Sequence, residues 1–103
     1  MAFAVDVLNS LDFVKSHKAI VNQLERSATS IGANIHEANY AHSKADFVSK
    51  LEIALKESFE TEYWLELFSR TKLLPAETIT SLINQCGKIR RLLIASITTP
   101  KQN

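Results

Sequence analysis

The residues that could do chemistry most directly are His36, Glu37 and His42, in the stretch IGANIHEANYAH at residues 31–42. Their order comes close to H-E-x-x-H, in which two histidines four residues apart on one helix face bind zinc and the glutamate is the general base. In this chain the residue four after His36 is Tyr40. His42 follows after six residues, about 120° round a helix. The two imidazoles cannot chelate one ion as that motif does, so we interpret both histidines as surface or interface residues.

Other forms of catalysis find as little support in the sequence. Helical bundles can build di-iron sites from Glu-x-x-His pairs, but that spacing occurs nowhere in the chain. The single cysteine, Cys86, falls on an apolar helical face, where a free cysteine usually packs as a small hydrophobe. No strand-turn-helix nucleophile motif is present. The chain is therefore predicted not to be an enzyme and to bind no metal or cofactor.

Acidic residues crowd the third predicted helix, and one of them occupies an unusual position. Glu62 falls near Leu51 and Leu55 on the main apolar face of that helix. A carboxylate in such a position needs a hydrogen-bonded or cationic partner. We therefore expect Glu62 to make a structural polar contact, and a catalytic role is the less favoured alternative.

Basic residues form the remaining candidate site. The formal net charge is only +1, so any anion-binding surface must be local. Clustered Lys and Arg side chains can neutralise phosphates, although a basic triplet in a single copy is commonly just solvated surface. Repeated around a ring, such a cluster would form an electropositive collar. The candidate nucleic-acid-binding residues are Lys88, Arg90, Arg91, Lys44, Lys50 and Arg26.

Length and composition describe the kind of molecule that carries these residues. The 103 residues fit one small domain, and the 46% hydrophobic content is that of a globular protein. One cysteine excludes an internal disulfide and suits a reducing cytoplasm. The N-terminal segment lacks the features of a signal peptide, and no stretch approaches the roughly 18 apolar residues of a membrane helix. We expect a cytoplasmic protein with a single domain at residues 1–103 and no membrane contact.

Four predicted helices position the candidate residues. Only two glycines and two prolines interrupt the chain, which favours long helices joined by short turns. The second helix has an apolar seam with spacings of three and four, typical of a helix packed nearly parallel or antiparallel to a partner. The predicted seam residues are Val21, Leu24, Ala28, Ile31, Ile35 and Ala38 in the second helix, and Ile79, Leu82, Cys86, Ile89, Leu93 and Ile97 in the fourth. Short turns then predict an all-α fold, an antiparallel up-down-up-down four-helix bundle. The predicted helices cover residues of about 3–14, 19–41, 44–70 and 75–97, and residues 98–103 form a frayed tail.

The third helix predicts self-association, because it is apolar on two sides. Its main face contains Phe47, Val48, Leu51, Ala54, Leu55, Phe59 and Leu65. A second apolar face must also be buried, and a single bundle of four helices need not cover it. That second face contains Ile53, Trp64, Leu67 and Phe68. Gly32 costs about 1 kcal/mol relative to alanine inside a helix, and close packing of another backbone is the usual compensation. The candidate interface residues are Ile53, Trp64, Leu67, Phe68 and Glu37.

Residues 23–67, QLERSATSIGANIHEANYAHSKADFVSKLEIALKESFETEYWLEL, carry a resemblance to a known family. The matching pattern is Arg26-Ser27-x-x-Ser30-Ile31-x-x-Asn34-Ile35-x-Glu37-Ala38, then Asp46-Phe47, Leu51-x-Ile53-Ala54 and Glu60-Thr61-Glu62-Tyr63-Trp64-Leu65-Glu66-Leu67. It resembles the four-helix-bundle family named for proteins encoded in intervening sequences of bacterial 23S rRNA genes. The first and last helices match only in hydrophobic pattern, and the first is shorter than is usual in the family.

The resemblance implies a left-handed antiparallel bundle that assembles into a homopentameric barrel. A related branch is similar to accessory proteins of diversity-generating retroelements, which bind nucleic acid and a reverse transcriptase through a basic surface. No catalytic residues are known in the family, so none is transferred. We therefore predict a non-enzymatic, self-associating bundle, a pentamer, whose candidate partners are RNA or DNA and a reverse transcriptase. The alternative is a purely structural or protein-binding scaffold without nucleic-acid binding.

Overall fold

The computed structural model describes residues 1–102, with side chains through residue 99; Asn103, in the predicted frayed tail, lies outside the described residues. The described helices are α1 Ala2–Leu11, α2 Lys18–Ala38, α3 Lys44–Thr71 and α4 Ala76–Gln102. They form a rod with extents of 46 × 19 × 19 Å. Helix α2 packs on α3 and α3 packs on α4, while α1 packs on both α2 and α4. The predicted all-α four-helix bundle is confirmed.

Local signals set three of the helix boundaries. Ser43 caps α3, because its Oγ accepts a hydrogen bond from the backbone N–H of Asp46 at 3.0 Å. The carboxylate of Asp46 in turn accepts from the backbone N–H of His42 at 3.3 Å. At the other end of α3, Lys72 adopts a left-handed conformation with φ of 57°, which ends the helix. Helix α4 begins directly after Pro75, whose fixed φ suits a helix start.

Three helix ends differ from the predicted ones. Helix α1 ends at Leu11 and not near residue 14. Helix α2 ends at Ala38 and not at 41, because the next backbone N–H groups bond to carbonyls three residues back, in a tighter turn. Helix α4 continues to Gln102 where a frayed tail was predicted after residue 97. The hydroxyls of Thr98 and Thr99 donate to the carbonyls of Ile94 and Ala95 along this added segment.

The core follows the predicted seams along the length of the rod. The buried apolar residues form two clusters. The larger cluster lies in the half of the bundle that contains α1, and the smaller cluster is made by α2, α3 and α4 beyond the end of α1. In α2 the seam is buried except at Ile35, which is half-buried, and in α4 the same holds except at Ile89. Buried seam residues of α2 and α4 are Val21, Leu24, Ala28, Ile31, Ala38, Ile79, Leu82, Cys86, Leu93 and Ile97.

The two apolar faces of α3 are divided differently from the prediction. Phe59 was placed on the core face, but its side chain is 53% exposed. Phe68 was placed on the second face, but it is fully buried within a single chain. It follows Leu65 by three residues and Thr61 by seven, so the helical period turns it toward the same core. Both side chains are equally apolar, so the side of α3 on which the core lies decides that Phe68 is buried and Phe59 is exposed.

Helix α1 is too short to cover the whole bundle. Its 10 residues lie beside α2 and α4, which have 21 and 27 residues, so a groove remains open between these two helices. Gly32 lines a recess between α2 and the first residues of the chain at the start of α1, and a Cβ built on it would meet nothing within 4 Å. The close packing expected against Gly32 is therefore absent within the described chain.

Among the described residues, no helix is both long and apolar enough to span a membrane.

Candidate nucleic-acid interface

A buried layer of hydroxyl groups crosses the middle of the bundle. Ser27 of α2 and Ser58 and Thr61 of α3 are fully buried. The Thr61 hydroxyl can donate its proton to two acceptors, Ser27 Oγ at 2.9 Å and the carbonyl oxygen of Glu57 at 2.8 Å. On the α4 side, the thiol of Cys86 donates to the carbonyl of Ser58 at 3.5 Å. Each buried hydroxyl thus has a partner, as burial of a polar group requires.

Ion pairs flank this layer on its α2 side. Arg26 forms ion pairs with Glu57 and Glu60 of α3, and its Nη1 lies 3.3 Å from Glu57 Oε2. Its Nε also donates to the side chain of Gln23 at 3.5 Å. Because two carboxylates face one guanidinium, the positive charge of Arg26 is matched within the chain. Arg26 is a predicted nucleic-acid-binding residue, and the structure places it in an α2–α3 contact.

A second ion pair flanks the layer on its α4 side. Arg90 Nε donates to Glu62 Oε1 at 2.6 Å, and both side chains are half-buried. This is the cationic partner that the position of Glu62 on an apolar face requires. We call the ion pairs of Arg26 and Arg90, with the hydroxyl layer between them, the polar belt. It contains Arg26, Ser27, Glu57, Ser58, Glu60, Thr61, Glu62 and Arg90.

Cys86 lies beside this belt, and its surroundings disfavour the thiolate form. Burial raises the pKa of its thiol from 9.0 to about 12, and the nearby Glu62 carboxylate adds to this while Arg90 opposes it. A thiol needs its thiolate form to act as a nucleophile. Cys86 therefore remains protonated at neutral pH and fills the α4 seam.

The histidines of the opening motif lie apart from any ligand set. His36 contacts the ring of Tyr40 with 5.3 Å between centroids, and His42 belongs to the turn that follows α2. Within the described residues, no group of three His, Cys, Asp or Glu side chains could hold a metal ion.

The six predicted phosphate-binding residues separate into two groups. Arg26, Lys50 and Arg90 each pair with a carboxylate, and Lys50 Nζ lies 3.8 Å from Glu37 Oε1 on α2. In the part of the chain that the structure describes, no ion pair involves Lys88, Arg91 or Lys44. Lys44 opens α3, several helical turns along the bundle from the other two. The structure therefore brings together only Lys88, Arg90 and Arg91.

The outer surface of α4 around these three residues is free of acidic residues of its own. No Asp or Glu follows Glu77 in the sequence, whereas four basic residues do. Lys88 and Arg91 are exposed, and a shallow recess lies beside them. Its lining residues are Glu62, Ile83, Asn84, Gly87, Lys88, Arg90 and Arg91.

Sequence inspection identified the three basic residues of this recess but missed Asn84 and Gly87. One available signal was the run without acidic residues after Glu77. Another was Gly87 itself, a helix-breaking residue in the middle of α4 and within one turn of three cations. The recess also depends on Glu62 from α3, a residue whose proximity only the packing of α3 on α4 establishes.

The predicted interface residues have mixed locations. Ile53 is 41% exposed, while Trp64 and Leu67 are half-buried. Phe68 is enclosed in the core of one chain and presents no surface to a second copy. Glu37 is exposed, and its carboxylate lies near Lys50.

Two comparisons place the chain among known proteins. The family model of the 23S rRNA-intervening sequence protein matches residues 1–95. Among solved structures, the chain is similar to a protein with unknown function from the S23 ribosomal protein family of Bacteroides thetaiotaomicron VPI-5482. The two share 47% sequence identity and a TM-score of 0.86, over 93% of this chain and 92% of that one. No match was found among curated proteins. Because the family model covers nearly its whole length, the chain belongs to the family of 23S rRNA-intervening sequence proteins.

Proposed function

We propose that this protein is a non-catalytic, self-associating helical module that binds the phosphate backbone of nucleic acid through the outer surface of α4. The observation that carries the proposal is the charge distribution on that helix. Lys88 and Arg91 are exposed and have no ion pair among the described residues, and no acidic residue follows Glu77. Elsewhere on the bundle, acidic side chains match the cations Arg26 and Lys50.

Phosphate contacts of this kind supply affinity without sequence selectivity, because they do not involve base edges. Each neutralised phosphate on a single strand releases counterions and lowers the logarithm of the binding constant by about 0.7 per decade of salt. Two or three cations in one copy correspond to a slope of about −1.4 to −2.1. A steeper slope requires the α4 surfaces of several copies to contact one strand, as an oligomer would allow.

The test compares two double variants with the same change in net charge. Lys88→Gln/Arg91→Gln removes from α4 the two described cations that have no ion pair, whereas Lys15→Gln/Lys18→Gln removes two cations near the start of α2. Fluorescence anisotropy with a labelled single-stranded RNA, measured from low to physiological salt, gives the affinity and slope for each. We expect the α4 variant to bind at least about tenfold more weakly with a shallower slope, and the control to bind like the wild type.

A second candidate function, a protein-binding scaffold, has its own supporting observation. Two large apolar side chains one turn apart on α3 are exposed, Phe59 at 53% and Tyr63 at 62%, and Leu92 on α4 is 68% exposed. Exposed apolar side chains that cluster mark interaction surfaces. Absence of binding to both RNA and DNA at low salt, in a protein that still self-associates, would favour the scaffold over nucleic-acid binding.

Self-association, with the pentamer of the family as the expected state, is tested separately. Ile53→Lys places a charge at an exposed position of α3, so the fold of one chain should tolerate it. Size-exclusion chromatography with light scattering should show a shift of this variant toward monomer at micromolar concentration. A wild-type protein that is monomeric under these conditions would remove self-association from the proposal.

A further inference from the structure

The recess on α4 has a feature that an ordinary solvated basic surface lacks. Two guanidinium groups are directed at the same point above Gly87. A Cβ built on that glycine would lie 3.3 Å from Arg91 Nη1 and 3.8 Å from Arg90 Nη2. Gly87 is itself buried, because these side chains cover the space that another residue would fill. The lack of a side chain at this position is what allows both guanidiniums to approach.

Such an approach of two cations is unfavourable unless negative charge offsets their repulsion. Glu62 supplies one carboxylate, and it bonds to Arg90 through Nε, which leaves the Nη groups of that guanidinium directed toward Gly87. Lys88 adds a third cation at the recess, so three positive charges face one negative charge. Asn84, one turn before Lys88 on the same helix, adds a side chain that can donate hydrogen bonds. The surplus of donors and positive charge matches an anion with several acceptor oxygens.

We propose that the Gly87 recess is the seat of a single phosphate group, held by the Nη donors of Arg90 and Arg91 with Lys88 and Asn84 at its edge. Guanidinium groups favour phosphate because their planar donors can bind two oxygens at once. The inference rests on the proposed function, since it names where on α4 a backbone phosphate would bind. It also extends that function, because Arg90, which pairs with Glu62, becomes part of the site. The same chemistry would accept a phosphodiester, a terminal phosphate or inorganic phosphate.

The two glycines of the chain provide matched variants. Each lies inside a helix, and each would carry a new side chain into different surroundings. At Gly87 a new side chain enters the recess between the guanidiniums, whereas at Gly32 it enters open space. We therefore compare Gly87→Leu with Gly32→Leu, because leucine is a good helix former and occupies the volume proposed for the phosphate. Gly87→Ala, which requires a shift of only a few tenths of an ångström from Arg91, serves if the larger substitution disturbs folding.

The first measurement uses the full-length protein and inorganic phosphate. Nuclear magnetic resonance detects the backbone amide of Gly87 and the Nε–H groups of Arg90 and Arg91 while phosphate replaces chloride at constant ionic strength. We expect the chemical shifts of these groups to change with phosphate concentration and to reach a plateau, both in the wild type and in Gly32→Leu. In Gly87→Leu the apparent affinity should fall by at least about tenfold, since one or two charge-assisted hydrogen bonds are lost. Shifts that do not saturate, or that are equal in both variants, would overturn the proposal.

The second measurement identifies the source of the phosphate and separates this inference from the proposed function. A short single-stranded RNA is titrated with and without a 5′-phosphate. Binding independent of the 5′-phosphate that weakens in Gly87→Leu supports a backbone phosphodiester at the recess. Binding that requires the 5′-phosphate supports a terminal phosphate there. RNA binding that is unchanged in Gly87→Leu refutes the recess but leaves the proposed function intact. Saturable phosphate shifts without any RNA or DNA binding support the recess and refute the proposed function.

Discussion

The hydroxyl pair of Ser27 and Thr61 offers a direct test of the polar belt as a structural unit. Both residues are fully buried, and the Thr61 hydroxyl lies 2.9 Å from Ser27 Oγ. The perturbation is a double-mutant cycle of Ser27→Ala, Thr61→Val and the double variant. Thr61→Val keeps the shape of the side chain and removes only its ability to form hydrogen bonds.

The magnitude follows from what each variant leaves unpaired. Thr61→Val loses one buried hydrogen bond and deprives Ser27 Oγ of its donor, which should cost about 1–2 kcal/mol of unfolding free energy. Ser27→Ala should cost about 0.5–1 kcal/mol, because the Thr61 hydroxyl can still donate to the Glu57 carbonyl at 2.8 Å. In the double variant the Ser27 Oγ acceptor that lost its donor is removed as well, so it should cost about as much as Thr61→Val alone. The expected coupling is therefore about 0.5–1 kcal/mol.

The assay is urea unfolding followed by far-ultraviolet circular dichroism at one fixed protein concentration, so that any self-association affects all variants equally. The slope with urea should stay the same and only the midpoint should move. A strictly additive cycle, with coupling below about 0.3 kcal/mol, would mean that the two hydroxyls act independently. The polar belt would then not be a cooperative contact between α2 and α3.

Three further predictions follow from the described contacts. Gly32→Ala should raise the free energy of unfolding by up to about 1 kcal/mol and so shift the urea midpoint upward, because the new methyl group meets no atom of the chain and alanine favours the helix. A loss of stability would mean that another molecule packs its backbone against this glycine. The thiol of Cys86 should resist alkylation at pH 8 in the folded protein and react in urea, and rapid labelling without denaturant would contradict its burial. The raised pKa of this thiol, about 12 against 9.0 unfolded, adds stability that is complete below pH 9 and is lost as pH rises toward 12; alkaline unfolding curves should be flatter for Cys86→Ala than for the wild type, and equal slopes would exclude this contribution.

Helical periodicity was sufficient to predict which residues of α2 and α4 form the core. Both seams are apolar on one side and polar on the other, so only one orientation buries them. Helix α3 was harder to interpret, because apolar residues surround much of it. Phe59 was predicted to be buried and is exposed, while Phe68 was predicted to be on an outer face and is buried. Spacing alone cannot tell which of two apolar faces turns inward when both neighbours are unknown.

In the candidate site, too, some features could be predicted from the sequence and others depend on how the helices pack. The sequence alone identified the basic cluster on α4, the need of Glu62 for a partner and the low reactivity expected of Cys86. Each depends on residue type and on position along one helix. Only the tertiary structure paired Arg26 with Glu57 and Glu60, so that its positive charge is matched within the chain.

What the sequence determined by itself was therefore the number of helices, the amphipathic seams and the bundle that they form. These follow from backbone hydrogen bonding and apolar period, which act over a few residues. What only the tertiary structure decided was which charges are neutralised and which remain available. Ion pairs such as Arg90 with Glu62 join residues that are 28 positions apart, and their formation depends on how α3 and α4 pack side by side. The same packing leaves Lys88 and Arg91 on the open surface around Gly87.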